Sequence, residues 1–123
     1  MTIKPFQMRI QPPTADQPAV VELSGFLDAH SVAEFETSLG PLLKVEAPTI
    51  MIDLERLDYL SSAGIGALMA IQQEILRRKG HLALVRPAEK VQRLLQSLGF
   101  DRIFSIVDSR AGALSLLASR SAS

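Results

Sequence analysis

The sequence has no cysteine and no tryptophan, only one tyrosine, and no excess of charge: thirteen basic residues stand against thirteen acidic ones. Each absence excludes something. Without cysteine there is no disulfide framework, no thiolate metal site and no cysteine nucleophile. A formal net charge of zero leaves no electrostatic footprint for nucleic acid or an anionic membrane, whose binders carry a basic excess or stripe. No apolar run approaches a membrane span, and the opening "MTIKPFQMRIQPP" has no apolar signal segment. A cytoplasmic protein without membrane insertion is expected. The only histidines, His30 and His81, lie far apart in the chain, and no spacing supports a metal site or implies a cofactor.

What is present is one domain's worth of core. A length of 123 residues with 47% hydrophobic content suits a single domain over 1–123, with an ordered core of about 6–118. With aromatics at 5%, that core must be mainly Leu, Ile, Val, Ala and Phe. "PFQMRIQ" alternates apolar and polar residues and predicts a strand; "PPTADQP" is a proline-broken connection; "AVVELSG" predicts a second strand ending at Gly25. Val32, Phe35, Leu39 and Leu42 recur at helical spacing, with Asp28 or Ser31 as cap and a break expected at Gly40-Pro41. "TIMIDL" is a continuous apolar run that suits a strand covered on both faces.

The next helix has Ile65, Leu68, Met69, Ile75 and Leu76 as its apolar stripe, Gln72, Gln73, Arg77 and Arg78 as its wet face, and Gly80 as its C′ residue. "HLALV" is a strand. "PAEKVQRLLQSLGF" is a helix with a stripe of Val91, Leu94, Leu95 and Leu98. "IFSIV" is a last short strand, and "DSRAGALSLLASR" a closing helix capped by Asp108 or Ser109. The order ββαβαβαβα predicts an α/β fold: a mostly parallel central sheet that starts with an antiparallel hairpin, with helices packed on it.

Between the third strand and the second helix lies a polar, small-residue joint, "LSSAGIG". Strand-to-helix turns at the carboxyl ends of open α/β sheets are where ligands or modifications meet such proteins. A helix starting between Ser62 and Gly64 would aim unpaired N–H groups and its positive dipole end outward, which suits a phosphate. Ala63, Gly64 and Gly66 would let another protein approach closely. A serine that only caps the helix is the plainer reading of the same residues. Enzyme motifs fail here. A GxxxxGK(S/T) loop lacks its lysine, Met69 occupies the third glycine position of GxGxxG, and GxSxG would need glycine at Leu60 or Ser61. The chain is not expected to be an enzyme, and the missing lysine also weighs against direct nucleotide binding.

"VVELSGFLDAHSV", "IMIDLERLDYLSSAGIGAL" and "PAEKVQRLLQSLGFDRIFSIVDS" together resemble the STAS domain, in particular the stand-alone bacterial anti-sigma factor antagonists. The resemblance runs in order from about Phe6 to Leu117. In those antagonists the joint reads D-S-(S/T)-G-(L/I)-G, and the serine after the aspartate accepts a phosphate. Anchored on Gly64-Ile65-Gly66, Ser62 falls on the acceptor, Ala63 on the second hydroxyl position, and Ser61 replaces the aspartate. Asp28 in "GFLD" matches the family's other acidic residue near the site. The resemblance implies phosphorylation of Ser62, with Ser61 the alternative acceptor, by an anti-sigma factor that is also a serine kinase, and resetting by a serine phosphatase. It implies partner binding through Asp28, Ser61, Ser62, Ala63, Gly64, Ile65 and Gly66. It also admits another use of the same fold, as a regulatory subunit of a transporter or lipid-transport complex.

Overall fold

A computed structural model describes residues 5–121. The elements follow the expected order: β1 (Gln7–Gln11), β2 (Ala19–Leu27), α1 (Val32–Leu43), β3 (Thr49–Leu60), α2 (Ser62–Arg77), β4 (His81–Val85), α3 (Glu89–Ser97), β5 (Ser105–Val107) and α4 (Arg110–Ser121), with one 3-10 turn at Phe100–Arg102. The strands lie side by side as β1-β2-β3-β4-β5. β1 pairs antiparallel with β2, and every later pair is parallel.

The period of two along the strands divides the interior. Val21, Leu23, Ile50, Ile52, Leu54, Leu82 and Leu84 face one way and form the main core with Phe35 and Leu39 of α1, Leu68, Ile71 and Ile75 of α2, and Val91 and Leu95 of α3. Met51, Ala83 and Val85 face the other way and meet Ala113 and Leu117 of α4 in a smaller cluster. Three helices therefore cover one face and α4 part of the other. The mostly parallel sheet with its opening hairpin is as the element order predicts.

Several local expectations need correction. β2 does not end at Gly25: it continues to Leu27, and Gly25 sits at φ +84° where the register with β3 shifts. A Cβ there would come 2.2 Å from the Pro5 carbonyl oxygen. α1 does not break at Gly40-Pro41 but runs through Pro41 to Leu43, giving up only the bond that the missing N–H would have made. Ser31 occupies the N-cap position of α1, yet neither it nor Asp28 caps the helix with its side chain: the Ser31 hydroxyl donates to the Phe26 carbonyl at 2.7 Å. Gln72 is not on a wet face. It is buried and donates from Nε2 to the Ile103 carbonyl at 2.6 Å, while Leu76 and Leu98, assigned to apolar stripes, are 57% and 53% exposed. At the end of α2 the left-handed residue is Lys79 (φ +63°), and Gly80 follows as C″, donating to the Ile75 carbonyl at 2.8 Å. The Ser109 hydroxyl accepts the Gly112 N–H at 2.9 Å, which settles the cap of α4 between the two candidates.

Candidate modification and docking site

β3 is twice as long as its apolar run suggests. β4 pairs with it only over Thr49–Asp53, and beyond that point β2 and β3 continue as a two-stranded extension that pairs Ser24 with Arg56, Phe26 with Tyr59 and Leu27 with Leu60. The joint sits at the tip of this extension. Ser61 is held there because its N–H donates to the Leu27 carbonyl at 3.0 Å. Its backbone is extended (φ −88°, ψ 174°), which turns its hydroxyl back to accept the Gly64 N–H at 3.2 Å. Its carbonyl accepts the Ile65 N–H at 2.9 Å. Ser61 is thus the N-cap, and α2 begins with Ser62. Ser62 and Ala63, the first two helical residues, have no intrahelical acceptors for their N–H groups, and the first turn carries no acidic side chain.

The residues expected to bind a partner fall into three groups. Ser62, Ala63 and Gly66 are exposed; Asp28 and Ser61 are half-buried; Gly64 and Ile65 are buried. Gly64 does not leave room for a partner. A Cβ there would lie 2.5 Å from the Leu27 carbonyl oxygen and 2.8 Å from Leu60 Cδ1, so the missing side chain lets α2 start directly against the end of β2. Ile65 points into the main core. Gly66, one turn after Ser62 on the outer side, has nothing within 4 Å of where its Cβ would be.

Asp28 reaches the joint through its neighbour, since the Leu27 carbonyl that precedes it holds Ser61. Its carboxylate Oδ1 accepts the His30 N–H at 2.9 Å, and its carbonyl accepts the N–H groups of Ser31 and Val32 at 3.1 and 3.0 Å. Its own N–H donates to the Ser31 hydroxyl at 3.0 Å. These bonds close the turn between β2 and α1 beside the joint. The structure therefore gathers Asp28, Ser61, Ser62, Ala63 and Gly66 at the carboxyl end of the sheet.

A second polar cluster escaped the sequence reading. Asp53, inside the apolar run of β3, is only 3% exposed. Its Oδ2 accepts from Arg86 Nη2 at 2.7 Å and Arg110 Nε at 2.8 Å, and its Oδ1 from the Glu55 N–H at 3.0 Å. Burial pushes this carboxyl up, but the Glu55 N–H and the two guanidinium groups outweigh it and hold it below its ordinary value. Arg110 also meets Glu22 at 3.3 Å, and Arg86 meets Glu55 at 3.1 Å. The cluster ties the first turn of α4 to the sheet, away from the joint. The one signal in the sequence was a carboxylate within an apolar strand, which demands a partner.

Among the described residues no helix is long and apolar enough to cross a membrane. The chain is 28% identical over 91 residues, 74% of its own length and 78% of the relative's, to BtrV of Bordetella bronchiseptica, a protein provisionally named an anti-sigma factor antagonist. Its fold matches the crystal structure of an anti-sigma factor antagonist from Mycobacterium paratuberculosis with a TM-score of 0.81 at 22% identity, covering 93% of this chain and 95% of the other. It matches the antagonist SpoIIAA in its unphosphorylated form with a TM-score of 0.74 at 22% identity, covering 94% and 97%, and the phosphorylated form from Bacillus with 0.68 at 22%, covering 89% and 97%. The family model for the STAS domain matches residues 8–113, and the chain belongs to that family.

Proposed function

We propose that this protein is an anti-sigma factor antagonist: a cytoplasmic, non-enzymatic binding module that docks on an anti-sigma factor through the start of α2 and is released when Ser62 is phosphorylated. The observation that carries the reading is the separation of the two serines. Ser61 supplies the cap, so the exposed Ser62 hydroxyl is not needed to hold the helix and is free to be modified. The relatives named above as anti-sigma factor antagonists, one of them described in both phosphorylated and unphosphorylated forms, support it. The partner is then a serine kinase that phosphorylates the protein it binds, and a serine phosphatase restores the unmodified form.

The switch needs no refolding. Phosphoserine adds about −1.5 to −2 charges at pH 7. In the free protein the positive end of α2 and the N–H groups of Ser62 and Ala63 accommodate them. In a docked interface the same group must shed water beside whatever acidic groups the partner presents. A penalty of ~3 kcal/mol would weaken binding more than a hundredfold.

Incubation with ATP and the anti-sigma factor kinase of its own genome, followed by intact-mass analysis and peptide mapping, should find one phosphate on Ser62 and none in Ser62→Ala. Ser62→Asp should keep the melting temperature and lose affinity for the kinase. A phosphate on Ser61 instead would undo the site assignment, and equal affinity of the mimic and the unmodified protein would remove the switch.

A further inference from the structure

We propose that Phe26 and Tyr59 form the apolar anchor of the partner interface, so that the anti-sigma factor reaches from the start of α2 around the tip of the β2–β3 extension onto its other face. The inference rests on the docking function proposed above and names where the binding energy of that interface resides.

Six large apolar side chains stand exposed among the described residues, and only Phe26 (36%) and Tyr59 (50%) are on the extension. They are register partners across β2 and β3, with ring centroids 5.5 Å apart and planes tilted by 59°. Their neighbours Leu27 and Leu60 are fully buried on the side of α2, so the two rings point to the opposite face. Among the described residues no helix covers them there. α4 starts where Arg110 meets Glu22 and Asp53, and it runs away from the extension until Leu117 and Ala118 stand beside Ala19 and Ile50 at the other end of the strands. A cross-strand aromatic pair steadies a two-stranded ribbon, which accounts for their pairing. It does not require both rings to remain so far in water.

The outer surface of the joint explains why a partner needs them. Ser62, Ala63 and Gly66 offer a flat, close approach but almost no side chain to bury. A stable interface covers on the order of 800 Å² per partner, and a few large side chains, tyrosine prominent among them, provide most of its energy. The nearest such side chains are this pair, continuous with the joint through the backbone. Phe26 precedes Leu27, whose carbonyl holds Ser61, and the Phe26 carbonyl takes the Ser31 hydroxyl that closes the turn at Asp28. Tyr59 lies three residues before Ser62, about 10 Å along an extended chain. The fitting partner is therefore a protein kinase surface with an apolar recess that accepts two aromatic rings near its phosphoryl-transfer centre.

Tyr59 is the only tyrosine. Protein grown with 3-fluorotyrosine carries a single fluorine reporter at the proposed anchor, and the probe partner is the unlabelled anti-sigma factor kinase of its own genome. On saturation the 19F resonance should shift and lose its solvent isotope shift, and Phe26→Ser and Tyr59→Ser should each weaken kinase binding about 30-fold, while loss of the cross-strand pair lowers the melting temperature by only a few degrees and leaves the protein folded at the assay temperature. A fluorine still open to solvent in the saturated complex, or a double variant that binds like the unmodified protein, overturns the anchor. So does protection of the fluorine when the protein alone is concentrated, because the occupant is then a second copy of this chain. If Ser62→Asp breaks binding while the aromatic variants bind normally, only the anchor falls. If the unmodified protein does not bind the kinase at all, the proposed function falls with it.

Discussion

Gly64 and Gly66 lie two residues apart in the first turns of α2, and alanine should act on them with opposite signs. At Gly66 the added methyl meets nothing within 4 Å, so only the backbone term remains, and a helical glycine replaced by alanine gains about 0.5–1 kcal/mol. At Gly64 the same gain is offset by a collision. The methyl carbon would sit 2.5 Å from the Leu27 carbonyl oxygen and 2.8 Å from Leu60 Cδ1, whereas carbon contacts are comfortable at about 3.5–4.0 Å. The obstacle is backbone, fixed by its bond to the Ser61 N–H, so it cannot rotate away as a side chain would. Either the strain stays, at about 1–3 kcal/mol for an overpacked site, or α2 moves outward by about 1 Å. That movement would loosen the bonds from Ser61 to Leu27 and from Gly64 to Ser61, each worth about 1 kcal/mol. With the propensity gain included, Gly64→Ala should lose about 1 kcal/mol. Urea unfolding followed by far-UV circular dichroism measures both variants, since the chain has no tryptophan to report by fluorescence. The comparison requires unchanged m values. A Gly64→Ala protein as stable as the unmodified one would refute the close-approach reasoning.

Removing the cap with Ser61→Ala should destabilise the fold by about 1 kcal/mol in the same assay, whereas Ser61→Asp should stay within a few tenths, because aspartate caps as well as serine does. Asp53→Asn should lose about 2–3 kcal/mol, less than a fully buried pair would, because Arg86 and Arg110 are 36% and 34% exposed. The folded carboxyl of Asp53 is held below its ordinary 3.8, so its stabilisation is complete above about pH 4 and is lost as pH falls below that value. Urea stability should therefore fall more steeply below pH 4 in the unmodified protein than in Asp53→Asn. Glu74, bonded by Arg77 and Arg78, is depressed to about 2. Its carboxyl should titrate near that pH by NMR, its contribution being present above about pH 4.5 and lost on descent through about 2, and Glu74→Gln should raise no other carboxyl.

The order of elements was legible because it is written in short-range periodicities, 2 for strands and 3.6 for helices. What the sequence hid depends on contacts between distant residues. Gly64 looked like an opening because nothing near it in the chain says that Leu27, 37 positions earlier, fills the space. Gln72 looked solvated because its acceptor, the Ile103 carbonyl, comes 31 residues later. The second half of β3 was missed for a different reason. Glu55, Arg56, Asp58 and Tyr59 are exposed on an extension with one neighbouring strand, so the apolar run stops where the strand does not. At the joint, the motif resemblance placed Ser62 at the acceptor position. Only the geometry separates its role from that of Ser61, because the cap is identified by ψ at Ser61 and by the Gly64 N–H, neither visible in "SSAG".

The same geometry gives the serine at position 61 a consequence of its own. A cap needs an acceptor oxygen and not a charge, so serine keeps the helix start that aspartate would form while leaving no negative group beside Ser62, the proposed phosphate acceptor. The first turn of α2 carries no acidic residue, and the Asp28 carboxylate accepts the His30 N–H. A phosphate on Ser62 therefore meets mainly the positive end of the helix, which favours its doubly charged form. An aspartate at 61 would oppose that form from the adjacent residue. Two charges near 4 Å interact by about 1 kcal/mol in water and more at a partly shielded site, and about 1.4 kcal/mol corresponds to one pKa unit. The second ionisation of phospho-Ser62, followed by 31P NMR, should thus lie roughly one unit lower in the unmodified background than in Ser61→Asp. At neutral pH the serine form would then carry the fuller charge and repel its partner more strongly. Equal values in the two backgrounds would show that charge at position 61 is not felt at Ser62, and the exchange of aspartate for serine would then be no more than a change of cap.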